Sequence, residues 1–287
     1  MPEMPEVEAL RGFLEERVVG RAIARVWLVA FSALKTHTPP LDALSGLEVT
    51  SVSRHGKWID LDAQGVHLIF HLARAGWLQW RDEMPAAPPR PSKNPLALRV
   101  VLDDNSGFDL TEAGTQKHLA VHVATDPADV AMISSLGPDP MGPEFGQAEF
   151  DAILAKAGRA QLKGVLRDQR VLAGIGNAYS DEILHTARLS PFTPASSLDE
   201  AARAHLLATL RQVLTDALAH TAGLGANQLK DSKRSSMAVH GRTGLPCPVC
   251  GDTVREVSFA DSSLQYCPTC QTGGKLLADR RLSKLLK

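Results

Sequence analysis

The sequence predicts an α+β protein of several domains. An N-terminal antiparallel β-sandwich or barrel with a flanking helix leads into a helical region and then a small metal-held finger. Three observations predict this. Apolar runs broken by turn residues fill positions 23–123, the pattern of successive antiparallel hairpins. Helical periodicity replaces them beyond about position 136. Two C-x2-C pairs, Cys247/Cys250 and Cys267/Cys270, stand sixteen residues apart near the C-terminus.

At 287 residues the chain is long enough for two ordinary cores. An apolar fraction of 44% and a charged fraction of 22% are those of a globular protein. The net charge of -1 advertises no nucleic-acid partner, but the charge is uneven. Residues 226–287 carry ten lysines and arginines against five acids, a local footprint suited to phosphate. No apolar run is long enough to span a membrane, and the start Met1-Pro2-Glu3 does not match a signal peptide. The chain therefore reads as cytoplasmic, where four cysteines argue for metal rather than disulfides.

In chain order, Val7, Leu10, Leu14 and Val18 recur at helical spacing, giving an amphipathic helix over 5–19 that Gly20 stops. Strands are expected at 54–61, 66–72, 98–102 and 108–110. Asp104-Asn105-Ser106-Gly107 is a hairpin turn, and 84–95, with five prolines, is a loop. Leu136 to Pro140 reads as a linker. Helices follow at 150–157, at 161–168 and up to about 186, and Ser197-Leu198-Asp199-Glu200 reads as a capping box opening a long helix.

Several stretches carry chemistry. Removal of Met1 would leave Pro2 with a free secondary amine, able to attack a sugar C1′ carbon and form an iminium. Glu3 beside it could supply the acid that opens a sugar ring. The other reading of Pro2 and Pro5 is that they only start a helix. Lys57, at a hairpin entry, is open to two readings, a solvated edge charge or a phosphate contact. His71, ending an apolar strand, is a satisfied core histidine or a ligand. The run 172–179 puts two glycines and Asn177 at a helix start, which is a packing turn or a phosphate site. The cysteine spacing supplies four thiolates for one closed tetrahedral site, which suits structural Zn2+ and leaves no open position for catalysis.

Together these stretches resemble the formamidopyrimidine-DNA glycosylase and endonuclease VIII family over residues 1 to about 271. The resemblance rests on the Met1-Pro2-Glu3 start with Pro5-Glu6-Val7-Glu8, the Gly56-Lys57 hairpin, the 172–177 stretch, Val239-His240-Gly241-Arg242 and the four-cysteine finger. It implies a catalytic β-sandwich over 1–135, a helix-two-turn-helix DNA-binding domain over 136–240, a zinc finger over 241–272 and a basic tail over 273–287. It implies a monomeric repair enzyme that acts on damaged DNA, with DNA lying between the two halves. Pro2 would be the nucleophile, Glu3 the proton donor and Glu6 its support. Lys57, His71 and Asn177 would bind phosphates, with Arg242 also on DNA, and Lys163 would lie near the lesion pocket.

The sequence also departs from the family pattern. Where members carry a methionine to fill the space left by a flipped base, this chain offers Arg74. An Arg-Phe pair common in members is missing from 111–117, and Ser262 stands where typical fingers carry an arginine. The segment between Lys230-Asp231 and Val239 is short, which leans the preference from 8-oxoguanine toward oxidised pyrimidines. These losses support a rival expectation, a non-catalytic binder of damaged or single-stranded DNA. A zinc-ribbon adaptor for proteins ranks behind both.

Overall fold

The computed structural model describes residues 1–89, 95–229, 236–259 and 262–278. The short 230–235 stretch, the finger tip at 260–261 and the tail beyond 278 lie outside the described residues. The chain divides into two compact units, Met1–Leu136 with Thr221–Asp231, and Gly137–His220 with Ser232–Lys287. The helical region and the finger both fall in the second.

In the first unit, helix α1 (Met4–Val18) precedes eight strands: β1 (Ile23–Leu28), β2 (Val49–His55), β3 (Trp58–Ala63), β4 (Val66–His71), β5 (Gly76–Arg81), β6 (Leu96–Leu102), β7 (Gly107–Glu112) and β8 (Ala120–Ala124). They form two four-stranded antiparallel sheets, β1-β6-β7-β5 and β2-β3-β4-β8, so the sandwich is the outcome rather than the barrel. Turn chemistry sets the registers. His55 pairs with Trp58 across Gly56-Lys57, and Gly56 at φ 58 supplies the left-handed first position that a two-residue hairpin demands. Strand β5 escaped the sequence reading. Its alternation, with Leu78 and Trp80 toward the core and Trp77, Gln79 and Arg81 on the other face, is nonetheless a period-2 pattern.

Val7, Leu10, Leu14 and Val18 of α1 join Ile59, Leu61, Phe70, Leu98, Phe108 and Leu110 in one core. The helix is also pinned polarly. Glu8 Oε2 accepts from Arg54 Nε at 2.7 Å, and Arg54 Nη1 donates to Gly56 O at 2.9 Å. The N-terminal part of α1 is thereby tied to the hairpin that carries Lys57.

The second unit holds α3 (Gln147–Ala157), α4 (Leu162–Arg167), α5 (Asn177–Thr186) and α6 (Glu200–Thr221), while the four-residue α2 (Ala131–Ser134) belongs to the first. Hairpin β9 (Arg255–Ser258)/β10 (Ser263–Tyr266) and the short α7 (Pro268–Thr272) complete it. The expected capping box is corrected: α6 begins at Glu200, and Asp199 caps it by accepting from Ala202 N at 2.8 Å. Ser197 instead donates its hydroxyl to Pro194 O at 2.7 Å.

Candidate functional site

In the first unit the site starts at the N-terminus of α1. Glu3 is the N-cap, and Glu3 and Glu6 form a reciprocal capping box: each carboxylate accepts from the other's backbone N–H, with Glu3 N to Glu6 Oε2 at 2.7 Å. Two glutamates do what a serine and a glutamate usually do. Both are almost fully buried, at 2% and 1% exposure. Pro2 is buried just before the cap, while Met1 is exposed. With Met1 attached, the Pro2 nitrogen is an amide; its removal would turn a rigidly held backbone position into an amine.

Lys57 is buried at 6% exposure, and its charge reaches His71. Burial foremost, and then Lys57, lowers the His71 pKa from 6.5 to about 4. His71 is therefore neutral near pH 7. Its Nδ1 accepts from Ala73 N at 3.1 Å, so the proton resides on Nε2, leaving that nitrogen as a donor. Trp58 packs against the ring at 4.8 Å between centroids, the two planes tilted by 43°.

Arg74 is exposed on the turn that leaves β4. Gly76 N donates to Leu72 O at 2.8 Å, and a Cβ at Gly76 would lie 2.1 Å from that oxygen, so only glycine closes this turn. The stretch after β7 is pinned by the buried Glu112, which accepts from His118 N at 2.8 Å and Leu119 N at 3.0 Å.

In the second unit, Asn177 opens α5, directly after Gly176. Its Nδ2 donates to Ser263 O at 2.7 Å, linking the helix to the finger hairpin, and its Oδ1 is buried without a partner among the described residues. Lys163 is buried, its Nζ 2.6 Å from both Asn177 O and Asp181 Oδ1. It props up the first turn of α5. Arg242 reaches only Pro246 O, at 3.3 Å, and its Nε is buried with no partner among the described residues.

Two residues overlooked in the sequence organise this unit. Asp181 accepts from Lys163 and meets His240 Nδ1 at 2.8 Å. Glu182 accepts from the backbone of Ala238, Val239 and His240 at 2.7, 3.0 and 2.8 Å. Burial pushes the Glu182 pKa up, and those three N–H groups pull it back. The legible signal was two adjacent acids in a helix otherwise buried through Ala178, Tyr179, Ile183 and Leu184, since buried acids demand partners.

The four cysteine sulfurs lie within 4.8 Å of one another, with Cys250–Cys267 at 3.3 Å and Cys247–Cys270 at 3.9 Å. A tetrahedral zinc with bonds of about 2.3 Å needs sulfurs about 3.8 Å apart, so the donor set fits. His185 Nε2 lies 3.3 Å from Cys247 Sγ and supports that ligand.

Comparison with known proteins decides the family. The formamidopyrimidine-DNA glycosylase N-terminal domain matches residues 1–121, the helix-two-turn-helix domain of the same enzymes 136–228, and a zinc finger found in these proteins and in IleRS 244–273. A formamidopyrimidine-DNA glycosylase of Salinispora arenicola is 35% identical over 285 residues, 94% of this chain and 96% of that protein. The chain belongs to the formamidopyrimidine-DNA glycosylase family. It is a DNA N-glycosylase of base excision repair with abasic-site lyase activity, and its cysteine cluster is the place of one structural zinc. An uncharacterized formamidopyrimidine-DNA glycosylase-like protein of Mycobacterium tuberculosis is 57% identical over 153 residues, 53% of this chain and 95% of that protein. The Lactococcus lactis glycosylase, solved non-covalently bound to DNA containing an abasic site, superposes with a TM-score of 0.80 at 25% identity, covering 94% of this chain and 99% of that one. No helix among the described residues is long and apolar enough to cross a membrane.

Proposed function

We propose that this glycosylase acts on damaged DNA with Pro2, freed by loss of Met1, as its nucleophile. The Pro2 amine attacks C1′ of the damaged nucleotide, the bond from C1′ to the base breaks with its electron pair going to the base, and the departing base takes up the proton that the amine loses. Glu3 protonates the ring oxygen, the sugar opens, and an iminium joins Pro2 to C1′. The iminium acidifies the C2′ proton. Its loss expels the 3′ phosphate by β-elimination, and a second elimination expels the 5′ phosphate. The observation that carries this reading is the buried Glu3/Glu6 box, which holds a proton donor and the residue before it rigidly at a helix start.

The flanking groups take up the strand around the flipped nucleotide. Lys57 and the Nε2–H of neutral His71 contact phosphates, and Arg74 fills the space left by the base. Asn177 and the first turn of α5 hold a further phosphate, with Lys163 acting through Asn177 rather than on DNA directly. Arg242 assists from the segment before the finger. The preferred lesions are oxidised pyrimidines, because the segment between Lys230 and Val239 is short where purine-processing members are longer. Single-turnover base release from duplexes tests this. Release of an oxidised pyrimidine is expected to outpace that of 8-oxoguanine opposite cytosine, and equal rates would overturn the preference.

A further inference from the structure

We infer that the outer face of the β1-β6-β7-β5 sheet is a second nucleic-acid surface, which binds unpaired bases of single-stranded DNA. The strand register carries this. Arg25 and Trp27 of β1, Arg99 of β6, Asp109 and Thr111 of β7, and Trp77, Gln79 and Arg81 of β5 share the face opposite the sandwich interior. Trp77 is half-buried, at the margin of the core cluster. Trp27 pairs with Arg99, Arg99 with Asp109, and Asp109 with Gln79, so these side chains form one continuous row across the sheet.

Charge on this row is unbalanced. Arg99 grips Asp109 with two hydrogen bonds, at 2.6 and 2.8 Å, and Arg81 Nε adds a third at 3.1 Å. The carboxylate is thus already matched by Arg99, whose side chain is 8% exposed, whereas that of Arg81 is 43% exposed. Arg25 is exposed, with its guanidinium 5.1 Å from the Trp27 ring centre. Three guanidiniums against one carboxylate leave two positive charges in excess among the strand residues of this face, in a protein of net charge -1.

Shape and chemistry name the occupant. Beside edge strand β5 lies a cleft of about 470 Å³, lined by Trp77, Gln79, Arg81, Pro95, Thr111 and Asn227. An indole to stack on, carboxamides to meet a base edge and a guanidinium for the adjoining phosphate are what an unstacked nucleotide requires. Trp27 lies three strand spacings away, about 14 Å, so a short stretch of strand can lie between the two indoles. Duplex DNA offers no free base faces to such indoles, and an acidic peptide would leave them unused.

The test uses the full-length, zinc-loaded protein titrated with a short oligothymidine while tryptophan fluorescence is followed. Quenching on binding is expected. Trp77→Leu, and separately the pair Arg25→Ala with Arg81→Gln, should each weaken binding about tenfold. The arginine pair should also lower the salt slope by about 0.7 for each phosphate left without its guanidinium. Incision of an abasic site in duplex DNA should stay at the wild-type rate in both variants. The proposal is overturned if wild-type protein does not bind, or if a strand of tetrahydrofuran spacers without bases binds equally well. It is also overturned if variants that melt like wild type bind unchanged, or lose duplex incision in step with single-strand binding. Failure of the Pro2 reading would look different: no incision by wild type, with oligothymidine binding intact.

Discussion

The two units solve the problem of holding polar groups in opposite ways. In the first, Glu3 and Glu6 satisfy each other across one helical turn, and the residue they steady, Pro2, stands at the chain end. In the second, Lys163, Asp181, Glu182 and His240 compensate one another inside the unit, and four cysteine sulfurs converge on one metal site. The first arrangement keeps the start of α1 in place with minimal local machinery. The second commits Lys163, Asp181 and Glu182 to architecture, where they hold backbone in place. The 239–242 stretch carries the family resemblance in the sequence, and the fold uses the backbone of Val239 and His240 together with the His240 ring.

Metal removal should separate the units most sharply. Structural zinc contributes on the order of 10 kcal/mol to finger folding. Stripping it, or Cys270→Ser, should raise amide hydrogen exchange across 244–273 while leaving 49–63 protected. Protection retained in the finger would break the comparison. Next in size is Asp181→Ala. It strands the buried Lys163 ammonium and should cost about 3–5 kcal/mol in urea unfolding of the second unit. A loss below about 1 kcal/mol would show that solvent already shares that charge.

Glu3→Gln sharpens the contrast from the other side. The amide oxygen still accepts from Glu6 N–H, so melting should change little, within about 1 kcal/mol. Base release should fall about 10²–10⁴-fold because the proton donor is gone. A melting loss as large as that of Asp181→Ala would make the box architecture after all. The smallest effect concerns His71, lowered to about 4 by burial and then by Lys57. Between about 4 and 6.5 the unfolded chain binds more protons than the folded one. This group's share of stability is therefore present above pH 6.5 and is lost as pH falls toward 4. His71→Asn should flatten that part of the stability profile, and an unchanged slope would contradict the assignment.

Much of this was legible in the sequence. Helical spacing gave α1 to within a residue at each end, turn residues gave the hairpin at 104–107 and cysteine spacing gave the metal cluster, whereas the strand expected over 54–61 is broken by the turn at Gly56-Lys57. What escaped was set by tertiary partners. The two adjacent acids of a buried helix are a local signal, but the partners of Asp181, Lys163 and His240, lie 18 and 59 residues away. The pairing of Glu8 with Arg54, 46 residues apart, is equally silent. The resemblance puts Lys163 near the lesion pocket, while its burial against Asn177 O and Asp181 is not visible in the sequence.

The measurement closest to the central claim is borohydride trapping on an oligonucleotide carrying one abasic site, with zinc-loaded protein whose N-terminus is read by mass spectrometry in the same sample. A covalent adduct mapped to Pro2, absent from Pro2→Gly and from protein that keeps Met1, is the predicted result. Correctly trimmed protein that binds the same DNA and gives no adduct, or gives one mapped to a lysine such as Lys57, would contradict it.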